Sequence, residues 1–263
     1  MNRLLLPIGC TTLLALSGCE GGDDDTTDAE QAMDSVDVSQ REAALVVAST
    51  HPLEPQMSAE EAASAAALSA PLVYRPAGCV TTLVQGTAIT YTLDDCTGPF
   101  RMNRIDGKVE VVYSVGAGGL HAQTTARDLR IGPVTLDVAS EGSFSVEGAW
   151  RKLRVSTRGV GTGPRGHRIE RDGAYTVKWN KVEGCVGFEG AFETRAGERR
   201  FETTATGLSR CAGECPAAGG EIVHEAIHKG LRIQLDFDGT DTARWTSSGG
   251  GEGTIGLFCG AGA

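Results

Sequence analysis

Short runs of alternating apolar and polar residues, separated by glycine, fill the chain from Cys79 onward. Clear examples are residues 109–115, 134–138, 175–179 and 231–237, where every second residue is apolar. Because successive side chains of a strand point to opposite faces, this period of two predicts strands with one buried face. Short strands joined by Gly-rich turns predict an all-β domain. We expect an antiparallel meander arranged as a sandwich, a barrel or a curved open sheet.

The first 18 residues differ from this β domain and are typical of a signal peptide. Arg3 supplies a basic start, and the apolar stretch after it is too short and too interrupted to span a membrane. Residues 16–19, LSGC, resemble the bacterial lipobox, which implies that Cys19 is lipidated and becomes the first residue of the mature chain. The alternative is an ordinary signal peptide with a chance cysteine. A lipid anchor would hold the chain on a membrane without a transmembrane helix.

Residues 19–38 and 39–71 form two further parts before the β domain, which takes residues 72–263. The first part is acidic, without a basic residue and poor in apolar residues, so we expect a disordered tether. The second part holds capping-box patterns at residues 39–42 and 58–61, which predict one or two short helices. The second helix is rich in alanine and has little to bury. It is expected to be a loosely packed stalk that ends before Pro71.

Six cysteines lie in the predicted β domain, and an even number in an exported chain indicates disulfides. They are Cys79, Cys96, Cys185, Cys211, Cys215 and Cys259. A two-residue turn at Thr87-Ala88 would place Cys79 opposite Cys96, close enough for a disulfide. We expect one cysteine of the CAGEC stretch, residues 211–215, to pair with Cys185 and the other with Cys259, in either order. A metal site there would need a second ligand pair at suitable spacing, so the structural role is favoured.

Residues 224–228, HEAIH, match the HExxH motif of zinc peptidases. In such a site His224 and His228 would bind zinc from one face of a helix, and Glu225 would act as the base on a metal-bound water. The flanking glycines leave room only for a short helix, and a third ligand at the spacing of the longer motif is missing.

A β-hairpin is the other interpretation of the same residues. Strands at 221–227 and 231–237, joined by a three-residue turn, would place Val223 opposite Leu235 and His224 opposite Gln234 on the wetter side. On a strand, residues four apart lie roughly 13 Å apart, too far to share a metal ion. We favour the hairpin. We therefore expect no catalytic residue, no metal and no cofactor, and regard an enzyme as the weaker hypothesis.

The stretch between residues 151 and 171 is basic, with Arg151, Lys152, Arg154, Arg158, Arg165, Arg168 and Arg171. A basic face could meet anionic lipid headgroups or polysaccharide. A solvated strand face that limits edge pairing is the favoured interpretation. The net charge of the whole chain is -10, and an exported chain would rarely meet nucleic acid, so a nucleic-acid partner is not expected.

Two segments resemble parts of a family of secreted bacterial β-rich lipoproteins. They are CTGPFRMNRIDGKVEVVYS at residues 96–114 and CPAAGGEIVHEAIHKGLRIQLDFDGTDTARWT at residues 215–246. The first has a Cys-Thr-Gly-Pro turn before a strand, and the second has a Cys-Pro turn followed by a hairpin. The resemblance covers about residues 79–140 and 210–258. It implies a β-rich fold and no particular activity.

These features predict a lipid-anchored protein of the bacterial cell envelope, at the outer membrane or cell surface, with a structural or binding role. The membrane would be a partner through the N-terminal lipid, with envelope polysaccharide, lipid or protein as further candidate partners. The first alternative is a β-sheet carrier or scaffold for lipid or glycan, which would need a continuous apolar groove. The second alternative is the HExxH zinc metallopeptidase.

Overall fold

A single antiparallel sheet of 13 strands forms the body of the protein in this computed structural model. The structure describes residues 42, 45–50, 52–54, 56–97, 104–117, 119–132, 134–162, 168–180, 185–211 and 214–257. Cys19, the acidic tether and Cys259 therefore lie outside the described residues. The strands are β1 (Val80–Gln85), β2 (Ala88–Thr97), β3 (Arg104–Gly116), β4 (Gly119–Ile131), β5 (Val134–Glu147), β6 (Trp150–Thr162), β7 (Arg168–Asn180), β8 (Cys185–Ala196), β9 (Arg199–Cys211), β10 (Glu221–Ala226), β11 (Leu231–Phe237), β12 (Thr242–Ser247) and β13 (Glu252–Gly256).

The strands follow one another across the sheet in chain order, so each strand pairs with its neighbours in the sequence. The sequence prediction of an all-β meander is confirmed. Of the three arrangements it allowed, the protein adopts the open sheet, with β1 and β13 as its two edges.

Alternation along each strand decides which face of the sheet is buried. On β7, Tyr175, Val177 and Trp179 are each at most 4% exposed, as the period of two predicted. We call the face that carries these side chains the inner face. Burying an apolar side chain of this size contributes about 1.5–3 kcal/mol, so the inner face provides the main stabilisation of the sheet.

Helix α1 (Ala59–Val73) packs against β1, β2 and β3. It begins with the predicted capping box, in which the Ser58 side chain accepts a hydrogen bond from the Glu61 N–H and the Glu61 side chain accepts one from the Ser58 N–H. The prediction of a loosely packed stalk is wrong. The helix continues to Val73 with Pro71 in its last turn, and its buried alanines, among them Ala66, belong to the core. Small alanine side chains let the helix approach the sheet closely.

A second helical stretch, residues 45–50, lies on the inner face of the sheet. We call the described residues between 42 and 54 the inner segment. Its apolar residues 45–48 and Leu53 are buried, each at most 5% exposed. The Tyr113 hydroxyl donates a hydrogen bond of 2.8 Å to the Ser49 carbonyl. None of the helices in the described part of the chain is long and apolar enough to cross a membrane.

The predicted disulfide between Cys79 and Cys96 is present, although the register of its hairpin differs from the predicted one. The turn lies at Gly86-Thr87 instead of Thr87-Ala88, so Val80 rather than Thr82 faces Leu93. The regular register would leave Cys79 beside Asp94, whose N–H donates to the Cys79 carbonyl at 2.9 Å. A bulge between Leu93 and Cys96 supplies the extra residue that brings Cys96 to Cys79.

A second disulfide joins Cys185 and Cys211, which lie directly opposite each other on β8 and β9. This bond settles which cysteine of the CAGEC stretch pairs with Cys185. Cys215 is also disulfide-bonded. Its expected partner, Cys259, lies outside the described residues, so that pairing stays a prediction.

Candidate functional site

The HEAIH residues form the end of a β-hairpin. Residues 221–226 are strand β10, residues 227–230 make the turn, and β11 follows. The favoured hairpin is therefore present, and the helix that the peptidase alternative requires is not formed at these residues. The predicted register is wrong by one residue, because the turn takes four residues instead of three. His224 lies opposite Ile233 instead of Gln234. A shift of one residue exchanges the two faces, so His224 points to the core.

His224 is 2% exposed and has a structural setting. Its Nδ1 atom lies 2.8 Å from the Thr203 hydroxyl oxygen, within a hydrogen bond, and its ring stacks on Phe201 with centroids 5.3 Å apart. On the other face, Glu225 accepts a hydrogen bond of 2.8 Å from Arg232. His228 in the turn meets the Phe201 ring edge-on.

Glu225 thus lies on the opposite face from His224, and both histidines pack on the Phe201 ring, so the three motif residues do not converge to hold one ion. The described residues contain no group of three or more His, Cys, Asp or Glu that could hold a metal ion. The strand geometry contradicts the zinc-peptidase interpretation.

His224 instead ends a row of polar residues that runs across the inner face, which we call the inner polar row. Its members are Thr124, Ser140, Thr157, Thr203 and His224, and all are buried. Strand pairing places them in line: Thr124 is opposite Ser140, Ser140 is opposite Thr157, and Thr203 is opposite His224. Gly173 and Phe192 occupy the same row between Thr157 and Thr203. Sequence analysis missed this row because its members are single residues on separate strands, and only the registers bring them together.

The middle of the inner polar row is filled by an aromatic ring and a cation. A Cβ on Gly173 would lie 2.3 Å from the Phe192 ring, so the ring occupies the space that a side chain at residue 173 would need. The Arg171 guanidinium carbon lies 4.3 Å from the centroid of the Phe192 ring. This is a cation–π contact, which is stronger where water is excluded. Arg171 is only 4% exposed, an unusual place for a charge.

Glu42 of the inner segment places a carboxylate in the region around Arg171. Its carboxylate accepts a hydrogen bond from the Thr157 hydroxyl. Burial raises the pKa of Glu42, and the Arg171 charge and the Thr157 hydrogen bond offset part of this rise. Burial lowers the pKa of Arg171, against the influence of Glu42. Burial also raises the pKa of the nearby Tyr175 hydroxyl well above its usual value.

A second candidate site lies on the opposite face of the sheet. An open groove of about 900 Å³ crosses the outward side of the strands from β3 to β9. We call it the outer groove. Short outward side chains in mid-strand, such as Ser143, Ser156 and Ala174, leave this space, and longer polar side chains border it, such as Gln123, Glu141 and Arg154.

Strand register also explains the composition of the outer groove. Ser143 lies opposite Arg154, and Glu141 lies opposite Ser156, so charged and hydroxyl side chains alternate between neighbouring strands. The Gln123 amide donates a hydrogen bond of 3.1 Å to Glu141. The groove therefore presents hydrogen-bond donors and acceptors over a floor of small residues.

The basic stretch between residues 151 and 171 does not form one surface. Arg158 and Arg168 are exposed and paired with carboxylates on their own side of the sheet, as expected of a solvated strand face. Arg154 borders the outer groove, whereas Arg171 lies on the inner face. Arg165 is outside the described residues. The alternation of strands thus divides these charges between two faces.

Comparison of the chain with protein-family models, curated proteins and solved structures finds no significant match. The resemblance of residues 79–140 and 210–258 to secreted β-rich lipoproteins stays a prediction. The residues on the two faces of the sheet are therefore the basis for a proposal about function.

Proposed function

We propose that this chain is a lipid-anchored binding protein of the bacterial cell envelope, and that its outer groove takes an envelope polysaccharide. The outer groove is the observation that supports this proposal. The groove is open and crosses several strands, but its lining is polar, unlike the apolar groove expected of a carrier or scaffold for lipid or glycan. Cys19 and the acidic tether would hold the domain at the membrane surface with freedom to reach its ligand.

The length of the groove suits an extended ligand. Neighbouring strands lie about 4.8 Å apart, so a groove that crosses from β3 to β9 extends for about 29 Å. A polymer would contact the side chains of several strands at once, whereas a small molecule would fill only part of this length.

The chemistry of the lining favours sugar over lipid on this face. Hydroxyl, amide, carboxylate and guanidinium groups can exchange their hydrogen bonds with water for hydrogen bonds with sugar hydroxyls. An acyl chain would leave these polar groups unpaired, and that loss costs free energy. Most of the large apolar side chains are buried in the core instead.

Filling the groove tests the proposal. Ser156 is exposed in the middle of the groove, so we expect Ser156→Trp to weaken binding to soluble glycan strands from peptidoglycan, or to other soluble bacterial polysaccharides, by at least about tenfold. The measurement is isothermal titration calorimetry on the full chain.

Ser209→Trp is the matched control, because Ser209 is an exposed serine on β9 that does not line the groove. It should bind like the wild type. If the wild type binds none of these polysaccharides, or if both variants lose affinity equally, the outer groove is not the binding site.

A further inference from the structure

We infer that the inner segment occupies a binding site for a single-chain amphiphile with a carboxylate headgroup, and that this ligand binds by displacing the segment. The site lies on the inner face around Arg171 and is separate from the outer groove. Its recognition element is the buried guanidinium, and its present occupant is the chain's own Glu42 with the apolar residues that follow.

Arg171 has unused capacity to bind an anion. Its Nε and Nη2 atoms are buried and have no hydrogen-bond partner in the part of the chain that the structure describes. A guanidinium can donate two parallel hydrogen bonds to one carboxylate, and Nε with an Nη atom forms such a pair of donors. A carboxylate placed there would satisfy two donors that the folded chain leaves without partners.

Hydroxyl groups on the inner face also lack hydrogen-bond partners. The Tyr175 hydroxyl and the hydroxyls of Thr124 and Ser140, on strands farther along the row, are buried without a hydrogen-bond partner among the described residues. Tyr175 is close enough to interact electrostatically with both Glu42 and Arg171. Buried polar groups of folded proteins are nearly always hydrogen-bonded, so the Tyr175 hydroxyl beside the buried Arg171 cation indicates a site built for a polar headgroup.

The inner segment has the chemistry of the ligand we infer. It begins with the Glu42 carboxylate, which is bonded to Thr157, and continues with the buried apolar residues 45–48 and Leu53. An acid group followed by an apolar stretch is also the description of a fatty acid. The surroundings suit an acyl chain, since Tyr175, Phe188 and Phe192 stack on one another beside Arg171.

A competitor would have to replace the polar contacts that hold the segment. Among the described residues these include the Glu42–Thr157 hydrogen bond, the Tyr113–Ser49 hydrogen bond and an ion pair of 2.6 Å between Arg151 and the half-exposed Glu54. A ligand with a carboxylate would replace the charge of Glu42 beside Arg171. A small carboxylate such as acetate would not replace the apolar contacts, and a neutral amphiphile would leave Arg171 without an opposite charge.

Direct binding to the full, disulfide-bonded chain tests the inference. We expect oleate, below the concentration at which it forms micelles, to bind at least about tenfold more tightly than oleyl alcohol or acetate. Glu42→Gln removes the competing charge and should strengthen oleate binding by about fivefold. Arg171→Gln should abolish the preference for oleate over oleyl alcohol. Circular dichroism checks that each variant is folded. If Arg171→Gln does not fold, oleate binding by Glu42→Gln still tests the inference.

A glutamate-specific protease reports displacement itself. Glu42 is buried, so the wild type should resist cleavage after it, and oleate should speed this cleavage by at least about tenfold if the segment leaves its place. Three results would overturn the inference: no oleate binding, equal binding of oleate and oleyl alcohol, or oleate binding that leaves Glu42 protected. These measurements concern the inner face, so they stay valid if the outer groove proves not to bind polysaccharide.

Discussion

At the scale of single residues, Gly173 is a position where the fold tolerates no side chain. A Cβ there would also lie 2.9 Å from the Ala191 carbonyl oxygen, besides its contact with Phe192. We predict that Gly173→Ala lowers the free energy of unfolding by about 1–3 kcal/mol, because the Phe192 ring must leave its place or the strands must separate. Urea unfolding followed by tryptophan fluorescence measures this change.

Gly187→Ala is the control for this experiment. Gly187 lies in the neighbouring strand β8, but the nearest atom to an added Cβ is 3.7 Å away, an ordinary van der Waals distance. The control should change the free energy of unfolding much less. Equal destabilisation by the two variants would show that loss of glycine, and not contact with Phe192, is responsible.

The buried carboxylate of Glu42 should make stability depend on pH. Its pKa in the folded chain is raised from the ordinary 4.5, mainly by burial, so between 4.5 and the raised value the folded state holds more protons than the unfolded state. Stability therefore falls as pH rises through this window. Glu42→Gln removes the titration, so the wild type should lose stability relative to this variant above pH 4.5.

Unfolding curves of both proteins, taken at intervals from pH 4 to pH 8, give the difference. A difference that stays constant with pH would mean that Glu42 titrates equally in the folded and unfolded chains. If the wild type becomes more stable relative to the variant as pH rises, Arg171 lowers the pKa of Glu42 more than burial raises it.

The residue-scale features of both sites were only partly accessible from the sequence. The pattern at Tyr175, Val177 and Trp179 predicted burial correctly, because alternation within one strand is a local property. The burial of Glu42 and Arg171 was not foreseen, since charged side chains are ordinarily exposed. Their charges are buried only because the inner segment folds back on β6 and β7, and the sequence contains no short-range sign of that contact.

At the scale of structural elements, the first hairpin depends on its disulfide. The bond between Cys79 and Cys96 closes a loop with a sequence separation of 17 residues. We predict that replacing both cysteines by alanine lowers the free energy of unfolding by about 3 kcal/mol, chiefly because the unfolded chain gains conformational freedom. Thermal or urea unfolding under non-reducing conditions measures the loss.

The same replacement at Cys185 and Cys211 provides a comparison, because that bond has a sequence separation of 26 residues. It should have a similar or slightly larger effect. A loss below about 1 kcal/mol in the first hairpin would indicate that helix α1, packed on β1, already restrains it.

The sequence predicted strands better than their registers. The hairpin of β10 and β11 is shifted by one residue and that of β1 and β2 by two, because register depends on the length of the turn in the first case and on its position in the second. Bulges add to the difficulty, and two of them lie where non-glycine residues adopt positive φ, at Asp95 (52°) and Asp128 (51°). A one-residue difference in a turn decided whether His224 belonged to the solvent or to the core.

At the scale of the whole molecule, the two faces of the sheet differ in the side chains they carry. The inner face holds the apolar core and a small polar region around Arg171, and the outer face carries the groove. Neither site could be located from the sequence, because each needs contributions from several strands. The broad class of the fold could be predicted from the sequence, since it follows from repeated local patterns.

The proposed attachment of the whole molecule to a membrane rests on Cys19. We predict that Cys19→Ser moves the protein from the membrane fraction to the soluble fraction in a Gram-negative expression host, because the lipid would be its only anchor. Immunoblotting of the separated fractions measures the distribution, and mass spectrometry of the mature chain measures the lipid.

Cys10→Ser is the control, since Cys10 lies within the predicted signal peptide and should not change the fractionation. A wild-type chain found in the soluble fraction, or a mature N-terminus other than Cys19, would show that the lipobox resemblance is accidental.

The neighbour-to-neighbour order of the strands has a consequence for export. Each strand finds its first partner in the segment that precedes it, so a chain that emerges from a translocation pore N-terminus first could build the sheet progressively. The two described disulfides each join cysteines that are consecutive in the sequence. An oxidase that links cysteines in their order of appearance would therefore produce these native bonds directly, and this part of the protein would have little need of a disulfide isomerase.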